Sequence, residues 1–388
     1  MIKPSRRVVA FWLLCATAAL IAAIYVIRAR GQLDPQTGLR KVPSGSAPEV
    51  APTAAGTQPS GGRASERAER SVPAVGAAPS PAAKANVEKA ALDSGLPDPR
   101  RVLFRSTALD DTFGRLGVVP FGDPAGARTF TALRCERVHF AAGRGVCLVA
   151  ERRAVTTFAA VVFDGDFRAQ HQIPLAGIPS RVRVAPNGRV AAITVFVSGH
   201  AYSSPGFSTL TTFVNLQSGE LMVDNMEKFR VWRNGERFQE VDFNFWGVTF
   251  ARDSNRFYAT LASRGRTHLI EGELSKMEAR VLRDDVECPS LSPDNRRIGF
   301  KKRFGGTLTP VGWRLSVLDV KTLEERPLSE SRSVDDQVEW ADNDTVIYSL
   351  PEAESSTAVT NVWAVAAQGT GEARRLLSGA YSPVVLPK

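Results

Sequence analysis

A chain of 388 residues with 43% apolar and 8% aromatic content is long enough for one large folded domain or two ordinary ones, and too apolar to be disordered throughout. Its formal charge of +9 suggests a polyanionic partner until it is located: residues 1–100 carry 13 Lys and Arg against 7 Asp and Glu, and the remainder 36 against 33. The remainder is nearly balanced and lacks the basic footprint that a phosphate backbone needs, which argues against nucleic acid as a partner.

In chain order, residues 8–27, "VVAFWLLCATAALIAAIYVI", form 20 uncharged positions that as a helix would cover about 30 Å of hydrocarbon. Lys3, Arg6 and Arg7 precede them, as expected when the N-terminus stays in the cytoplasm. Residues 1–30 therefore read as a transmembrane signal anchor. A cleaved signal peptide is the alternative, but its apolar region normally spans only about 7–15 residues. Residues 31–100 contain no Phe, Trp or Tyr and hold 10 of the 24 prolines, so they cannot bury enough apolar surface to offset ordering. They read as a disordered linker between the anchor and a domain at 101–388. The expected location is a bacterial cell membrane, crossed once, with the domain on the extracytoplasmic side, or secreted if the leader is cleaved.

From residue 101 the chain repeats a shape: an apolar run, a turn-forming tetrad, then a second apolar run. It occurs at "VHFAAGRGVCLVA" (Val138), "VRVAPNGRVAAITV" (Val182), "VTFARDSNRFYATL" (Val248), "CPSLSPDNRRIGFKKR" (Cys288) and "VEWADNDTVIYSL" (Val338). Asp294 and Asn295 are residue types that tolerate the left-handed backbone of a two-residue hairpin. The turn markers Ala142, Asn187, Asp253, Asp294 and Asp342 stand 45, 66, 41 and 48 residues apart, the period of a four-stranded propeller blade, with an insertion in the longest gap. A second hairpin follows each marker, as in "TTFVNLQSGELMV" and "RLSVLDVKTLEERPL", completing four strands. "LPDPRRVLFRS" (Leu96) and the terminal "YSPVVLPK" are each part of a blade, and Asp98 lies 44 residues before Ala142. The fold class is therefore all-β: a six-bladed propeller whose closing blade combines both ends of the domain, because an unpaired edge is a liability.

"LSPDNRRIGF" and "VAPNGRVAAI" resemble the repeats of the TolB-type propellers, in which a Ser-Pro-Asp-Gly turn precedes an apolar strand. The resemblance covers 101–388. It implies an exported interaction platform; related propellers also precede hydrolase domains. Ala142-Gly143 departs from the motif in lacking its polar residue.

Chemistry is sparse. GxSxG, HExxH and GxxxxGK[ST] are absent, as is any CxxC pair, so no catalytic residue, metal or cofactor is assigned. Cys135 and Cys147 suit either a disulfide in an oxidising compartment or buried thiols. His139 reads as a core or channel histidine. The candidate ligand or partner residues are His200 and Tyr202 on a long connection, Trp232 and Trp246 in an aromatic and basic stretch (Glu227 to Trp246), and Arg137, Arg183 and Asp336 near the channel mouth. Arg296-Arg297 with Lys301-Lys302-Arg303 read as a solvated strand end. The expected function is a membrane-anchored module that binds a protein or cell-envelope partner. The alternative is a propeller hydrolase or lyase acting on a sugar or lactone at the channel mouth.

Overall fold

The computed structural model describes residues 98–197, 208–306, 309–353 and 356–387. Residues 1–97, where the anchor and linker are expected, and 198–207, which include His200 and Tyr202, lie outside the described residues. No described helix is long and apolar enough to cross a membrane.

Three strands come first: β1 (Arg101–Ser106), β2 (Arg115–Pro120) and β3 (Thr129–Arg134). The first full blade is β4 (Arg137–Ala141), β5 (Arg144–Arg152), β6 (Thr156–Asp164) and β7 (Ala169–Leu175). The second is β8 (Ile178–Val184), β9 (Val190–Val197), β10 (Ser208–Asn215) and β11 (Leu221–Val223). An extra hairpin follows, β12 (Arg230–Arg233) and β13 (Glu236–Phe238). The third blade is β14 (Asn244–Phe250), β15 (Arg256–Ser263), β16 (Arg266–Glu273) and β17 (Glu278–Asp284). The fourth is β18 (Glu287–Leu291), β19 (Arg297–Gly306), β20 (Thr309–Asp319) and β21 (Glu325–Pro327). The fifth is β22 (Glu339–Trp340), β23 (Thr345–Ala353), β24 (Ser356–Ala366) and β25 (Arg374–Leu377), after which β26 (Ala380–Leu386) returns to the start.

Each blade is an antiparallel meander, and β26 pairs with β1 so that Val102 faces Val385 and Leu103 faces Val384. The expected composite blade is therefore present, with its innermost strand from the C-terminal end. The long gap between markers is explained by β12, which pairs in parallel with the outer strand β17 and extends the third blade to six strands.

Middle strands are apolar on both sides because neighbouring blades cover both faces. Val146, Leu148 and Val162 of the first blade meet Val182, Val184 and Ile193 of the second in one cluster, and β9 is buried from Val190 through Val195. Close stacking of sheets leaves certain backbone positions no room for a side chain. Gly145 lies opposite Phe163, Gly272 opposite Phe257 and Gly117 opposite Phe104, each on the paired middle strands of its blade. A Cβ on Gly272 would fall 2.2 Å from the Phe257 ring, and one on Gly145 2.1 Å from Phe163.

The marker turns differ from the two-residue form expected. Only Ala142-Gly143 has both residues left-handed (φ 46 and 79). At the opening of the fourth blade the Asn295 N–H donates to the Ser292 carbonyl (2.9 Å) and Asn295 alone is left-handed (φ 62), a longer turn with a single special residue. These turns also join blade to blade: the Asp294 N–H donates to Asn343 Oδ1 (3.0 Å), the Asn187 N–H to Ser254 Oγ (3.2 Å), and Arg100 Nη1 to the Ala341 carbonyl (2.6 Å).

Since successive strands reverse direction, first-to-second and third-to-fourth hairpins fall on one face of the ring, the turn face. Second-to-third hairpins and the links between blades fall on the other, where the innermost strands begin. That is the mouth face.

Candidate functional site

Innermost strands β4, β8, β14, β18, β22 and β26 surround the axis. Side chains two apart on such a strand share a side. On β8, Val182 and Val184 enter the core while Arg181 and Arg183 line a central cavity of about 30 Å³, together with Arg137, His139, Gln337 and Glu339. The pairing of β8 with β9 slips between Pro179 and Arg181, leaving Ser180 as an extra residue. A bulge of this kind re-aims the following side chain.

The cations and carboxylates here mostly satisfy one another. Arg137 Nη1 donates to Asp336 Oδ1 (2.8 Å), and its guanidinium stands 4.3 Å from the centroid of Tyr381. Asp336 Oδ2 accepts from the Ser349 N–H (3.1 Å). Arg183 pairs closely with Glu339 and donates to Ser290 Oγ (3.2 Å) and the Val338 carbonyl (3.1 Å). Lys301, on β19, pairs with Asp335, lies 3.8 Å from Glu287 and sits 4.5 Å over the Trp313 ring. Trp313 Nε1 donates to Glu287 (3.2 Å).

Burial works against ionisation of Asp336, but the charges of Arg137 and Arg181 outweigh it and hold the carboxyl below its usual range. Glu339 is likewise opposed by burial and held low by Arg183 and His139. Burial pushes Glu287 up, against the pull of Lys301. For His139, burial and then the Arg183 charge push the imidazole down, so the ring is neutral. Around the ring, Nδ1 accepts from the Val184 N–H (3.0 Å), while Nε2 stands 2.9 Å from Arg183 Nη1 and 3.7 Å from Glu339 Oε2. Neither nearby serine is bonded to this imidazole: Ser290 Oγ faces Arg183, and Ser382 Oγ donates to the Val138 carbonyl (3.0 Å). Among the described residues no hydroxyl is bonded to His139, and no three His, Cys, Asp or Glu converge as a metal-holding group.

Of the residues singled out from sequence, Arg137, Arg183 and Asp336 come together in this network. Trp232 lies away from it on β12, 37% exposed, with the Arg237 guanidinium 6.0 Å from its ring centroid. Trp246 is in β14 and only 7% exposed. The rest of that aromatic stretch is packing: Phe229 and Phe245 are buried in one cluster with Phe213 and Phe257, and Phe238 stands edge-on to Phe243 at 5.0 Å. Lys301 corrects an expectation. It is not part of a solvated strand end but 5% exposed, because its cross-strand partner is Glu287. Arg181 and Glu339 were missed, although Arg181 is legible as the alternate partner of Arg183 on a strand. Cys135 and Cys147 form a disulfide with Cα atoms 5.3 Å apart, which decides between the two readings of that pair, and Cys288 is a buried free thiol.

A ring of six sheets, five of four strands and one extended to six, closed by pairing both ends of the domain, defines the described chain as a β-propeller of TolB-type fold. No protein-family model and no curated protein matches the sequence. Among solved structures, TolB from Acinetobacter baumannii is similar over 77% of this chain and 70% of its own, with TM-score 0.52 and 14% identity. A puromycin-hydrolyzing peptidase of Mycobacterium tuberculosis is similar over 72% of this chain and 43% of its own (TM-score 0.45, 15% identity), and an oligogalacturonate lyase of Vibrio parahaemolyticus over 59% and 61% (TM-score 0.36, 10% identity). At such identities the likeness is one of fold alone.

Proposed function

We propose that this propeller is a binding module that presents its mouth face to a protein or cell-envelope ligand, held at a membrane by its N-terminal segment on the extracytoplasmic side. The observation that carries the reading is the uneven distribution of exposed apolar side chains. Leu109 (76%), Val155 (74%), Ile178 (57%), Val241 (99%), Phe304 (41%) and Val311 (41%) all belong to mouth-face hairpins or links. On the turn face, Leu221 (52%) and Met222 (49%) are exposed beside turns that bond to one another. Exposed apolar groups gathered mainly on one side of a rigid scaffold mark an interaction surface. The disulfide supports an oxidising compartment. The enzyme reading draws less support, since most of the axial charges are engaged with each other.

The test compares crosslinked capture from detergent-solubilised membranes by the wild-type chain, by a Val155→Ser, Phe304→Ser double variant, and by a turn-face Leu221→Ser control. A partner captured by wild type and control but lost by the double variant is expected. Equal capture by all three, or none above background, would overturn the reading.

A further inference from the structure

The axial network contains one cation that is held by the charge of its neighbours but has no carboxylate within hydrogen-bonding distance. Arg137, Arg183 and Lys301 each hold a carboxylate in direct contact. Arg181 does not. Among the described residues its single hydrogen bond runs from Nη1 to the Ser180 carbonyl (2.9 Å), its nearest carboxylate is Asp335 at 3.8 Å, and Asp335 already belongs to Lys301. Arg181 Nε is buried without a partner, and so is Nε of Arg183, whose side chain is only 10% exposed. A guanidinium has five N–H donors in a planar fork matched to a carboxylate, and leaving one of those donors buried without a bond is costly. The chain nonetheless places it there by means of the extra Ser180 in β8, beside a cavity with room for about one or two small groups.

We infer that Arg181, with Arg183 Nε beside it, is a receptor for a single carboxylate entering from the mouth face. The carboxylate is carried by the C-terminus of a peptide or by a small carboxylic acid. Asp335, 57% exposed at the rim, is the internal competitor that the ligand displaces from Arg181 while remaining paired to Lys301. Its side chain keeps the empty site from being a bare positive hole. This rests on the binding-module reading and adds the chemical class recognised at its centre.

The experiment titrates the full chain, purified in mild detergent, with three probes followed by calorimetry: acetyl-trialanine with a free C-terminus, the same peptide as its C-terminal amide, and acetate. Saturable binding of the free acid but not the amide is expected. Binding of acetate with comparable affinity assigns the site to small acids, and preference for the peptide assigns it to chain ends. Arg181→Gln should lose about tenfold or more in affinity, the value of a charge-assisted pair. Asp335→Asn, which leaves Arg181 in place, should gain affinity by removing the competitor, and this arm remains decisive if the first variant fails to fold. Equal binding of acid and amide, no saturable binding at millimolar probe, or unchanged affinity in Asp335→Asn would overturn the inference. If these probes fail while mouth-face capture survives Arg181→Gln, the carboxylate site falls and the binding-module reading stands.

Discussion

His139 shows how a single residue can make the centre of the ring sensitive to acid. Its Nδ1 accepts the Val184 N–H, and a protonated ring cannot accept. The group is pushed below its ordinary 6.5 by burial and by Arg183. A depressed folded value means stability that is complete above the unfolded value and lost as pH falls toward the folded one. Glu339 and Asp336 are also held low, so their contributions are lost further down, as pH passes below 4.5 and 3.8. We expect the thermal midpoint to fall in two stages on acidification, the first beginning near pH 6.5. In His139→Asn, whose amide oxygen can accept the Val184 N–H, the first stage should vanish and the second remain, as read by circular dichroism melts at successive pH values. An unchanged first stage would show that another group titrates there. Residue identity on the sequence pointed to Arg137, Arg183 and Asp336 as axial. It could not reveal their pairings, because partners 199 residues apart meet only through ring closure.

At the scale of the strand, the paired middle strands set the tolerance of each blade. Gly272 and Phe257 are directly opposite, and the ring occupies the space a methyl group would need. Gly272→Ala should cost about 1–3 kcal/mol through overpacking and lower the melting midpoint by several degrees. Adding Phe257→Leu should recover part of that loss, since residues in contact couple; strict additivity of the two changes would show that the clash is relieved elsewhere. Strands and turns were legible because period-two apolar runs and Pro, Asn, Asp and Gly tetrads act locally. Two features were not. The single left-handed residue of the longer turns depends on hydrogen bonds such as Asn295 to Ser292, and the docking of β12 depends on a parallel partner 48 residues away, Glu278 opposite Arg230.

For the whole molecule, the seam between β26 and β1 is what turns six marginal sheets into one cooperative unit. Removing residues 380–388 would strip the innermost strand from the closing blade and expose the edge of β1. The shortened chain should lose its cooperative melt and associate with itself. A synthetic peptide of residues 380–388 added in trans should restore the transition in a concentration-dependent manner, because binding to the folded state stabilises it by mass action; a cooperative melt without the peptide would show that five blades suffice. By itself the sequence determined the number of blades, the four-stranded meander of each and the composite closure, since these follow from local periodicity and from the need to leave no edge unpaired. Only the tertiary structure decided which charges meet on the axis, that Arg181 Nε stays without a hydrogen-bond partner there, and that Cys135 reaches Cys147. Those outcomes depend on distances between blades, which no local pattern encodes.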